Sequence, residues 1–196
     1  MKDNLTNYFN LSLTKSQHNL LIILIIMFVT FLTFANSLLG EFVYDDITLV
    51  QNNNSLNALS KIPSLFLESY FGEGSNAGTY RPISMTSYAI NYAISGLEPY
   101  GYHLVNIMIH TINSLLIYWL VKHYSQGKLL SIFTALLFSV HPVHSEAVAA
   151  IYGRPELLAT MFLLLSWVYY LKSSINKYYY FISLLSYFLS LLCKES

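Results

Sequence analysis

The run Leu20–Leu39 holds about twenty residues without a single charge. At a rise of about 1.5 Å per residue, that length matches the ~30 Å hydrocarbon core of a bilayer. A chain with such a segment has to bury it in lipid or in a large apolar core, and the composition favours lipid. The 196 residues are 55% hydrophobic and only 10% charged, with mean hydropathy +0.47, whereas soluble domains carry about 25% charged residues. The expectation is an all-α integral membrane protein. Formal net charge is zero, which gives no reason to expect nucleic acid as a partner. The single cysteine, Cys193, excludes an internal disulfide framework and every multi-cysteine metal motif.

In chain order, residues 1–19 read as a polar tail with Lys2, Asp3 and Lys15. Leu20–Leu39 follows as an uncleaved signal-anchor, since the apolar core of a cleaved signal runs to about 7–15 residues. Gly40–Tyr102 is a long loop, loosened by Gly72, Gly74 and Gly78. Within it Ile83–Ile94 is apolar but too short to span, so it lies along the interface or packs on the bundle. Further spans are expected near residues 103–121, 129–140, 157–171 and 178–193. The fold expected over residues 20–196 is a polytopic transmembrane helical bundle of about five spans, with interfacial helices in its long first loop. Lys194-Glu195-Ser196 follows directly on an apolar segment, which reads as the N-terminal piece of a longer polytopic protein.

Alternating spans put Lys2, Lys15, Lys122, Lys128, Lys172 and Lys177 on one side, which the positive-inside rule makes cytosolic. The other, lumenal side then receives every acid except Asp3. On this reading Asn53-Asn54-Ser55 is a lumenal glycosylation sequon, while the sequons at Asn4 and Asn10 are cytosolic.

Three groups of residues can carry chemistry. Asp45 and Asp46, a few residues beyond the first span, are adjacent carboxylates. Such neighbours point different ways, so one of them would serve as a general base; the plain alternative is a solvated turn or helix cap. His141, His144 and Glu146 lie within six residues and leave a divalent cation open, although Pro142 makes their geometry irregular. The plain alternative is a helix stop followed by a cap. His103, Asn106, His110 and Asn113 share one face of the second span; the two deeper residues read as interhelical hydrogen bonders, and His103 and Asn106 lie near the membrane face of Asp45. Arg81, Arg154 and Lys194 are cations on that same side, suited to an anionic phosphate.

Taken in order, Phe42-Val43-Tyr44-Asp45-Asp46, Tyr80-Arg81-Pro82-Ile83, His103-Leu104-Val105-Asn106 with His110, His141-Pro142-Val143-His144-Ser145-Glu146, Gly153-Arg154-Pro155-Glu156 and Cys193-Lys194-Glu195 resemble the N-terminal membrane part of the transmembrane and tetratricopeptide-repeat (TMTC) protein O-mannosyltransferases. The likeness runs from about residue 36 to the end. It implies a multi-pass endoplasmic-reticulum glycosyltransferase of the C-type superfamily. Its donor would be dolichyl-phosphate mannose and its acceptors Ser/Thr of lumenal protein domains, cadherin-like by family. The superfamily's acidic motif maps onto Asp45 and Asp46, with Arg81, Arg154 and Lys194 as partners of the donor phosphate. Family members continue into further spans and a repeat array. The competing readings are a non-catalytic membrane scaffold and a polytopic transporter lined by His103, Asn106, His110 and Asn113.

Overall fold

The computed structural model describes residues 14–71, 79–125 and 127–195. Most of the polar tail, Lys2, Asp3, the sequons at Asn4 and Asn10, and Gly72, Gly74 and Gly78 lie outside the described residues. Among those described there is no strand, and the all-α bundle is as expected.

Seven α-helices organise the described residues. Helix α1 spans Lys15–Phe34 and is started by a reciprocal cap, in which Gln17 N–H donates to Thr14 Oγ1 and Thr14 N–H donates to Gln17 Oε1. Its last turn tightens into a 3₁₀ turn over Ala35–Leu39. Helix α2 is Pro82–Ser95, α3 Pro99–Ser125, α4 Lys128–Val140, α5 Ser145–Ala149, α6 Arg154–Lys172 and α7 Tyr178–Cys193. Proline sits in the first turn of α2, α3 and α6 and opens the 3₁₀ turn Pro142–His144. Its fixed φ suits a helix start, and its missing N–H would have had no partner there.

Helix α3 is the axis of the molecule, packing on α1, α2, α4 and α6, while α6 and α7 form an antiparallel hairpin. The long helices run alternately, so their ends segregate. At one end Lys122 donates to Asn19 Oδ1 and the Lys172 ammonium lies over the Trp119 ring. The opposite end, here the site end, gathers the turns around Asp46, the start of α3, the bend after α4 and the end of α7.

Among the described residues, two stretches are long and apolar enough to cross a membrane, Ser16–Leu39 and Pro99–Ser125, and α4 with Pro142–Ala149 makes a third if its 44° bend is taken as one broken span. That is fewer than the expected five. Helix α4 has 13 residues and α7 has 16, so each falls short of ~30 Å at about 1.5 Å per residue. Helix α6 reaches 19 residues only by including Arg154, Glu156 and Lys172. Two or three spans still make the chain a multi-pass membrane protein.

Candidate active site

The first loop leaves α1 through Gly40 and reaches Tyr44, which has φ of 49°, a left-handed conformation uncommon outside glycine. That turn sends the two aspartates to different places. Asp45 is exposed, and its carboxylate makes no hydrogen bond among the described residues. Asp46 is buried: Oδ2 accepts from Val43 N–H at 3.2 Å, and Oδ1 accepts from Tyr152 N–H at 2.7 Å. Burial raises the Asp46 carboxyl above its ordinary value; the N–H groups of Val43 and Tyr152 oppose the rise, and the charge of Asp45 adds to it. Asp46 thus pins the first loop to the turn Ile151–Gly153. From the same turn Tyr152 Oη donates to Glu146, and Ile151 C=O accepts from Tyr88 Oη.

Arg154 lies beneath this junction with no exposed surface. Nε donates to Asn106 Oδ1 at 2.9 Å, and Nη2 donates to Asn91 Oδ1 at 2.8 Å and to Tyr102 C=O at 3.0 Å. The guanidinium carbon stands 4.6 Å from the Tyr88 ring centre and 5.5 Å from that of Tyr102. Arg154 has no carboxylate partner among the described residues, and a permanent cation so buried has to be held by oriented dipoles and ring faces; both are present. The guanidinium therefore ties α2 and α3 to the start of α6, and its surroundings leave no open approach for a phosphate.

The other expected cations sit nearer the surface. Arg81 Nε meets Glu195 Oε2 at 2.6 Å and its guanidinium faces Tyr70, while Lys194 pairs with Glu156. Together with Ser84 Oγ donating to Cys193 C=O, these pairs fasten the end of α7 to the starts of α2 and α6. Glu156, Lys194 and Glu195 line a groove of about 430 Å³ between α6 and α7.

His141, His144 and Glu146 do not converge. His141 is exposed, and its Nδ1 accepts from Val143 N–H as the cap of the 3₁₀ turn. His144 turns inward onto Phe138 and His110, with ring centres 4.4 and 5.0 Å away. Glu146 takes Tyr152 Oη. Among the described residues no three His, Cys, Asp or Glu side chains are placed to hold a metal ion, so this trio does not fit one.

The polar face of α3 is real, but each residue meets a different neighbour. His103 is buried against Gly40, where a Cβ would stand 3.0 Å from Nε2. Asn106 bridges Arg154 to Ala150 C=O. His110 Nε2 faces Ser139 C=O at 3.2 Å, and Asn113 Nδ2 donates to Leu157 C=O at 3.0 Å. The two deeper residues bond neighbouring helices as expected. The sequence reading missed Tyr88, Asn91 and Tyr102 as the cage of Arg154; the three-residue spacing of Tyr88 and Asn91 on α2 was the available signal. Asn53, read as a sequon, is buried with its Oδ1 accepting from Ser55 N–H, because the turn needs that carbonyl as a cap.

Comparison with known proteins places this architecture. No protein-family model matches the chain, and no solved structure matches it. Curated sequences do. Human "Protein O-mannosyl-transferase TMTC3" is 34% identical over 142 residues, covering 70% of this chain and 15% of its own length. Human "Protein O-mannosyl-transferase TMTC4" is 37% identical over 158 residues, covering 71% and 21%. Drosophila melanogaster "Protein O-mannosyl-transferase Tmtc1" is 29% identical over 169 residues, covering 83% and 20%. The chain thus spans about a fifth or less of the length of these relatives. Over that length, the chain belongs to the TMTC family.

Proposed function

We propose that the chain forms the acceptor-activating part of a protein O-mannosyltransferase, with Asp45 as the general base. The reading rests on one contrast: Asp45 is exposed and makes no hydrogen bond among the described residues, beside a turn locked in place, while both oxygens of its neighbour Asp46 are held by backbone N–H groups. A general base has to reach the proton that it takes, and geometry comes before pKa in choosing it. Asp46 then acts as a positioning residue. It fixes the turn that presents Asp45, and Arg154 fixes the helices under that turn.

The reaction follows from a mannosyl donor carried on a lipid phosphate, with dolichyl-phosphate mannose as the donor implied by the family likeness. Asp45 takes the proton of a Ser or Thr hydroxyl, and that oxygen attacks the sugar C1. The bond from C1 to the phosphate oxygen breaks, and its electron pair leaves with the lipid phosphate. The departing dianion calls for positive charge rather than an acid. Arg81 and Lys194, both at the surface of the site end, are the cations assigned to it; Arg154 is assigned to the scaffold. The site end faces the endoplasmic-reticulum lumen and the lysine-bearing end the cytosol, as the charge asymmetry supports. Acceptors are lumenal protein domains, cadherin-like in the family.

The test is transfer of mannose by the full-length protein. Asp45→Asn is expected to lower the rate by roughly 10²–10⁴-fold, the usual contribution of a general base, with melting unchanged. Asp46→Asn is expected to lower the melting temperature as well, since an amide cannot accept from both Val43 and Tyr152. Unimpaired transfer by Asp45→Asn sinks the assignment.

A further inference from the structure

An open groove of about 350 Å³ runs between α3 and α6 near the lysine-bearing end. Both helices run from the site end towards that end, so residue number measures depth along the groove. Trp119, Tyr169 and Lys172 stand at its mouth, and Ile112, Leu115, Leu165 and Val168 line its length. From Lys172 down to Leu165 is about 10 Å at a helical rise of ~1.5 Å per residue. The groove is therefore polar at one end and aliphatic below it.

The mouth suits an anion. The Lys172 ammonium stands 5.5 Å from the Trp119 ring centre and 5.6 Å from that of Tyr169. Those ring faces hold the charge in place, yet an ammonium has three N–H donors, and Lys172 has no carboxylate partner among the described residues. Every Asp and Glu among the described residues lies in the first loop, between α2 and α3, in α5, at the start of α6 or after α7, all at the site end. Lys122, Lys128, Lys172 and Lys177 gather at the other end, with no acid among the described residues to neutralise them. At that same end Trp167 Nε1 donates to Tyr124 Oη at 3.0 Å, and the two residues are 50% and 58% exposed. Amphipathic rings of this kind sit at the headgroup level of a bilayer, which puts the Lys172 ammonium at that level too.

A small soluble anion leaves the aliphatic length unused, and a neutral chain leaves the ammonium unmatched. A lipid with a charged head answers both. We propose that the groove holds an anionic glycerophospholipid of the leaflet at the lysine-bearing end. Its headgroup phosphate accepts from Lys172, in the way basic pockets between transmembrane helices hold such headgroups, and one acyl chain lies along Ile112, Leu115, Leu165 and Val168. This site is separate from the proposed chemistry, which belongs to Asp45 at the opposite end of the bundle.

The experiment titrates the full-length protein in detergent with phosphatidylserine, with phosphatidylcholine of the same acyl chains and with dolichyl phosphate, and reads bound lipid by native mass spectrometry. Wild type is expected to bind phosphatidylserine roughly fivefold more tightly than phosphatidylcholine, which corresponds to about 1 kcal/mol for one lysine facing a membrane anion. Lys172→Gln is expected to erase that preference and Lys172→Arg to keep it. Lys128→Gln removes a charge from α4, which does not line the groove, and is expected to leave the preference unchanged. Leu165→Trp narrows the groove and is expected to weaken both phospholipids several-fold. Should it impair folding, the comparison of Lys172→Gln with Lys172→Arg still decides, since that side chain is only half-buried. Equal binding of the two phospholipids by wild type, or a preference that survives Lys172→Gln, overturns the site. An equal loss in Lys128→Gln reduces the attraction to a diffuse field, and unaltered binding by folded Leu165→Trp leaves the groove without a lipid chain. Displacement of phosphatidylserine by an equal amount of dolichyl phosphate assigns the groove to a polyprenyl carrier instead. Each of these three results also overturns the proposal.

Discussion

At the scale of single residues, the decisive feature is a division of labour between neighbours that look alike in the sequence. Asp45 and Asp46 differ only in which way the backbone at Tyr44 sends them. Arg81 and Arg154 differ likewise, one at the surface in an ion pair and the other caged. Removing the caged cation strands Asn91 Oδ1 and Asn106 Oδ1 together, while Tyr102 C=O keeps its place in the α3 ladder. Arg154→Met is therefore expected to destabilise the full-length protein by roughly 1–3 kcal/mol for each stranded acceptor. Arg154→Lys recovers only part of the loss, since an ammonium lacks the planar fork that reaches both amides. Thermal melting in detergent checks both; an unchanged melting temperature in Arg154→Met would show that the cage contributes nothing. The motif around Arg154 was visible in the sequence, but its burial was not. Charge argues for solvent unless the partners are known, and those partners come from helices 48 to 63 residues away.

At the scale of elements, the bend between α4 and α6 is held by close backbone approach. A Cβ on Gly153 would lie 2.5 Å from Ala147 C=O, whereas one on Gly127, in the turn before α4, would meet nothing nearer than 3.6 Å. Gly153→Ala is expected to cost roughly 1–3 kcal/mol, because rigid backbone has to move. Gly127→Ala is expected to be neutral within about 0.5 kcal/mol. Paired melting curves compare them, and equal behaviour would mean that the bend is slack. Helix α1 and most of α3 were legible from hydropathy, and the prolines marked helix starts. The count of spans turns on length: α4 and α7, with 13 and 16 residues, are short for a bilayer, yet both keep large apolar side chains such as Leu129, Phe133, Phe181 and Leu185 on their surfaces.

At the scale of the whole molecule, the proposed topology rests on Lys122, Lys128, Lys172 and Lys177, which gather at the end of the bundle away from Asp46. Single cysteines placed at Ile175 and Val143, which are 83% and 69% exposed at opposite ends of the bundle, report it in a full-length background without other reactive thiols. In sealed microsomes an impermeant maleimide is expected to label Ile175→Cys and to reach Val143→Cys only after the membrane is opened. The reverse pattern would invert the molecule and move the proposed site to the cytosol. The candidate blocks were legible because they alternate with apolar runs, and the helices bring them to one end of the bundle. Their internal wiring was not, since it depends on which loop residues meet across the bundle.

That wiring sets a timetable for synthesis. Asp46 finds Tyr152 across 106 residues and Arg81 finds Glu195 across 114. At roughly 5–20 residues per second, the ribosome needs on the order of 5–20 s to deliver the second partner after the first. During that interval the strained turn at Tyr44 has nothing to hold it, and the aspartates stand exposed on a half-inserted protein. The newborn chain thus depends on shielding by chaperones until both partners have emerged, and slowed translation between the two loops would lengthen its most vulnerable moment.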